Sequence, residues 1–360
     1  MPSTKRLKRI VISNYRGLED IHLGLGQINI VTGRNNAGKS SLLEALFLLI
    51  GFGNPAIATN THVTRHQGQF AATPTTFQST LWAPFFNDQD TEKTIRITAS
   101  DDQFGQLSLT MKIERTQTST TAAPESSANL PQDARLALRF TSRPAKEKTA
   151  AISGWVDMDE EKHTVSTSTD KVVRHLFPGI TLSPNQSNPA EDAGRLAELR
   201  RRKAERVVVD ALRQIEPRLQ NLEDKALGDS PRIWADLDGM DELIPLVALG
   251  EGVTWLARIV IGIANASDGI ILIDEIGSGI HHTVLPDLWK VVGNAARKSN
   301  VQVVATTHSR ECVEAAADAL GFVKGVFLHR MEIDRNGKRI CRSFDSGDLR
   351  TAIDFGMETR

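Results

Sequence analysis

The sequence predicts an α/β fold, with a mixed or parallel central sheet, an antiparallel N-terminal β-lobe and an inserted helical segment. Three observations carry that prediction. The segment Gly33-Arg34-Asn35-Asn36-Ala37-Gly38-Lys39-Ser40 lies between a β-branched stretch and an apolar one. An unbroken apolar run, Ile270-Ile271-Leu272-Ile273, ends in Asp274-Glu275. From 254 to 306 the pattern reads helix, strand, helix, strand, the sequence form of a parallel sheet.

Taken in order, short strands are predicted at 9–14, 21–23 and 28–32, followed by a buried helix over 41–50. Further strands are expected at 94–99, 107–114 and 136–140. The small polar stretch 116–129 has no apolar surface to bury and reads as a hairpin tip. Residues 192–214 read as a strongly charged helical segment, and 232–236 with 243–249 as paired strands. Runs 326–333 and 339–344 flank Asp334-Arg335-Asn336-Gly337, whose Asn-Gly step favours a hairpin turn. The domain organisation expected from this reading is an N-terminal lobe at 1–115, an insertion at 116–235 and a C-terminal lobe at 236–360. There is no internal repeat and no sustained heptad pattern, which excludes a long coiled-coil arm.

The glycine-rich segment matches the phosphate-binding P-loop pattern in full. Glycines let the backbone of Gly33, Arg34, Asn35, Asn36, Ala37 and Gly38 wrap a phosphate and aim its N–H groups inward. Lys39 brings a point charge to the β- and γ-phosphates, the Ser40 hydroxyl suits Mg²⁺, and Ser41 opens the helix beside it. ATP and Mg²⁺ are the ligands this pattern calls for. Asp274 falls at the C-terminal edge of its strand, where open α/β sheets bind ligands, and is a second candidate for Mg²⁺. Glu275, one residue on, is placed to polarise the water that attacks a γ-phosphate.

Bulk properties narrow the class. In 360 residues, 43 Lys and Arg balance 44 Asp and Glu, so no whole-molecule charge marks a nucleic-acid binder. Cys312 and Cys341 are far apart and in no metal-ligand spacing, which argues against a disulfide scaffold and a zinc hook. The longest apolar runs, 42–52 and 253–263, fall short of a bilayer span and contain Glu44 or Arg258. A soluble cytoplasmic protein is expected.

Further landmarks give a family resemblance. Leu249-Gly250-Glu251-Gly252-Val253 opens the helix near 254, and 301–306 is a strand running into Thr307-His308-Ser309. This order of elements resembles the ATP-binding-cassette (ABC) ATPases, and more closely their soluble branch of SMC, RecF-like and OLD-like ATPases. Within it, Asn14-Tyr15-Arg16 is similar to the opening strand motif. Residues 249–253 resemble the signature loop, Ser278-Gly279-Ile280-His281 the D-loop, and His308 the switch histidine. The resemblance covers 7–52 and 243–360. It implies catalytic roles for Glu275, His308 and Lys39, and phosphate contacts from Gly250 and Gly252 of a second subunit. Gly250 stands where the signature usually has serine. The Q-loop glutamine has two candidates, Gln78 and Gln89.

The activity this implies is ATP hydrolysis by a homodimer that sandwiches ATP and drives a separate partner. A DNA-acting chain, such as a Toprim-type nuclease in repair or phage defence, is the partner expected. Two other readings stay open: the nucleotide-binding subunit of a membrane transporter, and a regulatory nucleotide switch. The run Arg195, Arg200, Arg201, Arg202, Lys203 and Arg206 is interleaved with acids and reads as a solvated face before a DNA-contacting patch. His281-His282 is expected to cap or to line an interface, and Tyr15-Arg16 either packs the strand end or stacks near an adenine.

Overall fold

A computed structural model describes residues 6–52, 54–59, 81–101, 105–115, 134–143, 150–159, 164–172, 178–228 and 230–348. The polar stretch 116–129 and Gln78 lie outside them. The chain divides into two units built from interleaved segments. The first comprises Met1–Gly24, Ser40–Leu176 and Glu332–Cys341, the second Leu25–Lys39, Phe177–Met331 and Arg342–Arg360.

The first unit is built on seven antiparallel strands: β1 (Leu7–Tyr15), β2 (Leu18–Gly24), β4 (Ile95–Asp101), β5 (Gly105–Arg115), β6 (Ala134–Arg143), β7 (Ala150–Asp159) and β8 (Thr164–Thr169). Their order is β2-β1-β4-β5-β6-β7-β8. Burial alternates along β4 and the first half of β5, with Ile95, Ile97, Leu107, Leu109 and Met111 inward, as expected for a sheet with one covered face. Tyr15 is fully buried. The guanidinium of Arg16 lies over the rings of Tyr15 and Phe85, and its Nε is 2.8 Å from Glu44. The pair therefore packs a strand end, and a buried tyrosine ring is not free to stack on a base.

The second unit carries the parallel strands. β3 (Ile28–Gly33), β9 (Gly179–Leu182), β13 (Ile270–Ile273), β14 (Gln302–Thr306) and β15 (Val326–Ile333) form, with β16 (Arg339–Asp345), a sheet ordered β16-β15-β3-β14-β13-β9. Pairing is parallel between β15 and β3, β3 and β14, β14 and β13, and β13 and β9. Four loops, after β3, β9, β13 and β14, consequently leave the same edge of the sheet. β3 and β13 are buried at every residue, as a strand covered on both faces should be.

Helix α1 (Lys39–Ile50) follows β3; α2 (Pro189–Arg201) and α3 (Arg206–Leu212) follow β9. The charged segment is thus two helices, broken near Lys203, which takes a left-handed φ of 56°. Asn188 caps α2 by accepting the Glu191 amide N–H. β10 (Leu219–Leu227) and β11 (Ser230–Leu237) form a hairpin, with β12 (Ile244–Pro245) pairing only Trp234 and Ala235. Of the strands expected at 232–236 and 243–249, only Trp234 and Ala235 pair with Ile244–Pro245; Leu246–Leu249 is a 3-10 turn whose Leu246 and Val247 carbonyls accept from the Thr254 hydroxyl and the Gly250 amide.

The next helix, α4 (Glu251–Asn265), is buried from Trp255 to Ala264, with Arg258 the one charged residue in that stretch, so it runs through the core. α5 (Leu285–Lys298) and α6 (Arg310–Leu320) pack on the same core. At the Asp334–Lys338 turn the Gly337 amide returns to Asp334 O and Gly337 takes φ 80°. The glycine of the Asn-Gly step is the left-handed residue of a bulged hairpin.

Candidate active site

The loop from Gly33 to Gly38 leaves β3 and enters α1, with φ of 140° at Gly33, 66° at Asn36 and 102° at Gly38. A Cβ on Gly33 would meet Met331 O at 2.2 Å, so no other residue fits there. Arg34, Asn35 and Asn36 are exposed, Ala37 is buried, and Ser40 and Ser41 stand half-buried in the first turn of α1. Lys39 is 6% exposed and donates to Gly33 O at 2.8 Å and Arg34 O at 3.2 Å. Burial pushes its ammonium below the ordinary lysine value, and the charges of Glu275 and Asp274 oppose that shift.

Asp274 and Glu275 follow β13 directly. The Thr306 hydroxyl, at the end of β14, lies 2.5 Å from Asp274 Oδ1 and accepts the Glu275 amide N–H at 2.9 Å. One hydroxyl therefore spends its proton on the first carboxylate and a lone pair on the backbone of the second. Glu275 takes φ 47°, a conformation uncommon for a side chain with a Cβ, and the Thr306 bond holds it there. His308 Nδ1 is 2.7 Å from Glu275 Oε2. A carboxylate only accepts, so Nδ1 carries the proton of this pair and a neutral ring presents its lone pair at Nε2.

Lys39, Asp274, Glu275 and His308, the residues singled out from sequence, thus gather at one sheet edge. Thr306 was not singled out from sequence, because a threonine ending a strand carries no signal of its own. Gly250 and Gly252 stand elsewhere in this unit. A Cβ on Gly252 would sit 3.2 Å from Gly279 O, and the Glu251 carboxylate turns toward Gly279. Gly250 has φ 94° and ψ 161°, and α4 has no side-chain cap there.

The loop after β9 is a feature that sequence reading missed. The Asp274 amide donates to Leu182 O, so residues 183–188 leave the sheet beside the acidic pair. Gln186 lies on this loop, exposed. Gln89, one of the two glutamines considered from sequence, sits in the first unit at a left-handed φ of 58°. The signal available was the short run Gly179-Ile180-Thr181-Leu182 before Ser-Pro-Asn-Gln, too brief to stand out.

His281 accepts from the Thr283 amide and caps a short turn, the role expected for it. Among the described residues no cluster of His, Cys, Asp and Glu suits a metal ion on its own. Arg195, Arg200, Arg201 and Arg202 are engaged by Glu191, Asp224 and Glu198, which spends their charge within the chain. No helix of the described residues is long and apolar enough to cross a membrane.

A family model described as "AAA domain, putative AbiEii toxin, Type IV TA system" matches residues 28–314 and so spans β3 through His308. The chain belongs to this AAA-domain family. Within its known relatives, an ATP/GTP phosphatase of Helicobacter pylori is 23% identical over 342 residues, 86% of each chain. An OLD nuclease of Thermus scotoductus is 47% identical over 45 residues, 12% of this chain and 8% of that protein. Among solved structures, an Smc head bound to the C-winged helix domain of ScpA superposes with a TM-score of 0.52 at 10% identity, covering 96% of this chain and 99% of that one. This AAA-domain protein shares the α/β fold of the Smc head.

Proposed function

We propose that the chain binds ATP on the Gly33–Ser41 loop and hydrolyses it with Glu275 as general base. The observation that carries this reading is the chain of contacts from His308 to Glu275, and through Thr306 to Asp274, beside the buried ammonium of Lys39. Lys39 already spends its protons on two loop carbonyls, a place where phosphate oxygens can substitute for them. Glu275 takes the proton of the attacking water, and His308, bound through Nδ1, orients that water with Nε2. Arg34, Asn35, Asn36, Ala37 and Gly38 supply backbone N–H groups to the phosphates.

The donor set suits Mg²⁺: a hydroxyl at Ser40 and a carboxylate at Asp274 that Thr306 fixes in orientation. A Mg²⁺ ion held by those two side chains would supply positive charge against the phosphates. Of the polar side chains on the β9 loop, this reading assigns Gln186 to the same end of the nucleotide.

Gly250 and Gly252, at the uncapped start of α4, would serve the nucleotide of a second copy, which makes the active species a homodimer. A separate DNA-acting chain, of nuclease type, is the partner this motor would drive, a reading supported by the OLD nuclease match. The test is nucleotide affinity of Lys39→Ala beside its thermal melt. ATP binding lost with the melt retained supports the site; unchanged affinity removes it.

A further inference from the structure

Helix α4 carries two side chains whose contacts reach both sides of the acidic pair. Trp255 is 4% exposed, and its indole N–H donates to Ile276 O at 2.8 Å, one residue beyond Glu275. Arg258, one turn on, is 7% exposed. Its Nη2 donates to Gln186 O at 2.7 Å, its Nη1 reaches Ser183 O at 3.4 Å, and its Nε lies 2.9 Å from Asp192. The guanidinium stacks 5.1 Å from the Trp255 ring. Isolated buried cations are costly, and a well-packed apolar residue would serve stability as well. An arginine fork inside an otherwise apolar helix needs another reason.

That reason lies in what it holds. Ser183 and Gln186 are the ends of a turn, closed by the Gln186 amide on Ser183 O, whose side chains Asn185 and Gln186 face solvent. The turn leaves β9 next to Asp274. Arg258 grips its carbonyls from the core side, while Trp255 grips the backbone leaving Glu275. We infer that Trp255 and Arg258 are positioning residues for hydrolysis. As a stacked pair they fix the Gln186 turn and the exit from Glu275 relative to each other and to the helix opened by Gly250. This rests on the reading of Glu275 as base. Both side chains are buried and bond to backbone carbonyls, so the clamp acts on turnover and not on ATP affinity.

Two conservative variants test it. Trp255→Phe keeps an aromatic face for Arg258 and removes the indole N–H together with part of the ring, a loss of core packing that the melt registers. Arg258→Lys keeps the charge against Asp192 and removes the fork. ATP turnover and ATP affinity are measured for both, together with Glu275→Gln and a thermal melt. The expected result is a fall in kcat of about tenfold to a hundredfold, the usual cost of an ångström-scale misplacement, with affinity within about twofold of the parent. Hydrogen exchange should rise at 183–188 in Arg258→Lys and at 276–278 in Trp255→Phe. Normal kcat in folded Trp255→Phe overturns the clamp, as does a loss confined to affinity. If Arg258→Lys fails to fold, Trp255→Phe alone decides. If Glu275→Gln itself turns over normally, the base assignment fails instead, and the two failures are told apart.

Discussion

The hydroxyl of Thr306 lies 2.5 Å from Oδ1 of Asp274, and the same oxygen accepts the amide N–H of the next residue, Glu275. A buried side chain on β14 thus sets both the orientation of one carboxylate and the backbone of the other. Thr306→Val keeps the shape and deletes both bonds, whereas Thr306→Ser keeps them. Buried hydrogen bonds to charged groups are worth about 1.5–3 kcal/mol. Turnover of Thr306→Val should fall about tenfold or more, with a higher Mg²⁺ requirement, and Thr306→Ser should recover most of it. Equal activity in the two variants would leave the hydroxyl without a role.

The backbone at Gly250 accounts for a glycine where the signature that residues 249–253 resemble has serine. Its φ of 94° and ψ of 161° belong to a region essentially reserved for glycine, so the usual serine would be strained here by about 1–3 kcal/mol. Gly250→Ser should lower the thermal midpoint by several degrees. An unchanged or raised midpoint would show that the loop readily adopts another conformation.

His329 makes a pH prediction. It is fully buried on β15; Nδ1 meets the Ser343 hydroxyl at 2.8 Å and Nε2 meets Asn29 Oδ1 at 3.3 Å, with no carboxylate among these partners. Burial pushes its pKa down to about 4 from 6.5. The unfolded chain takes up a proton below 6.5 that the native chain refuses, so stability falls as pH drops from 6.5 toward 4. The full effect is about 3 kcal/mol. Chemical denaturation of wild type and His329→Gln across that window should show a steeper loss in wild type. Parallel curves would contradict it.

Most of the fold was legible because its signals are local. The β-branched run before the glycines, the apolar run before Asp274 and the Asn336-Gly337 step each announce their element over a few residues. Lys39, Asp274 and Glu275 stand out by the same local patterns, and His308 by the order of elements before it. What escaped was set by tertiary contact. β9 is four residues long and is a strand only because β13 pairs with it, so the Gln186 loop could not be placed. Thr306, Trp255 and Arg258 act through bonds to residues at least 21 positions away, and no spacing rule reports such contacts.

The account turns on Glu275 as the group that activates water, and steady-state ATP turnover of Glu275→Gln tests it most directly. The amide keeps the size of the carboxylate but cannot take a proton. Loss of a general base costs about a hundredfold to ten-thousandfold in rate. Turnover reduced by that factor, with ATP still bound at near-parental affinity, is the predicted result. A Glu275→Gln protein that hydrolyses ATP at the parental rate would contradict the account.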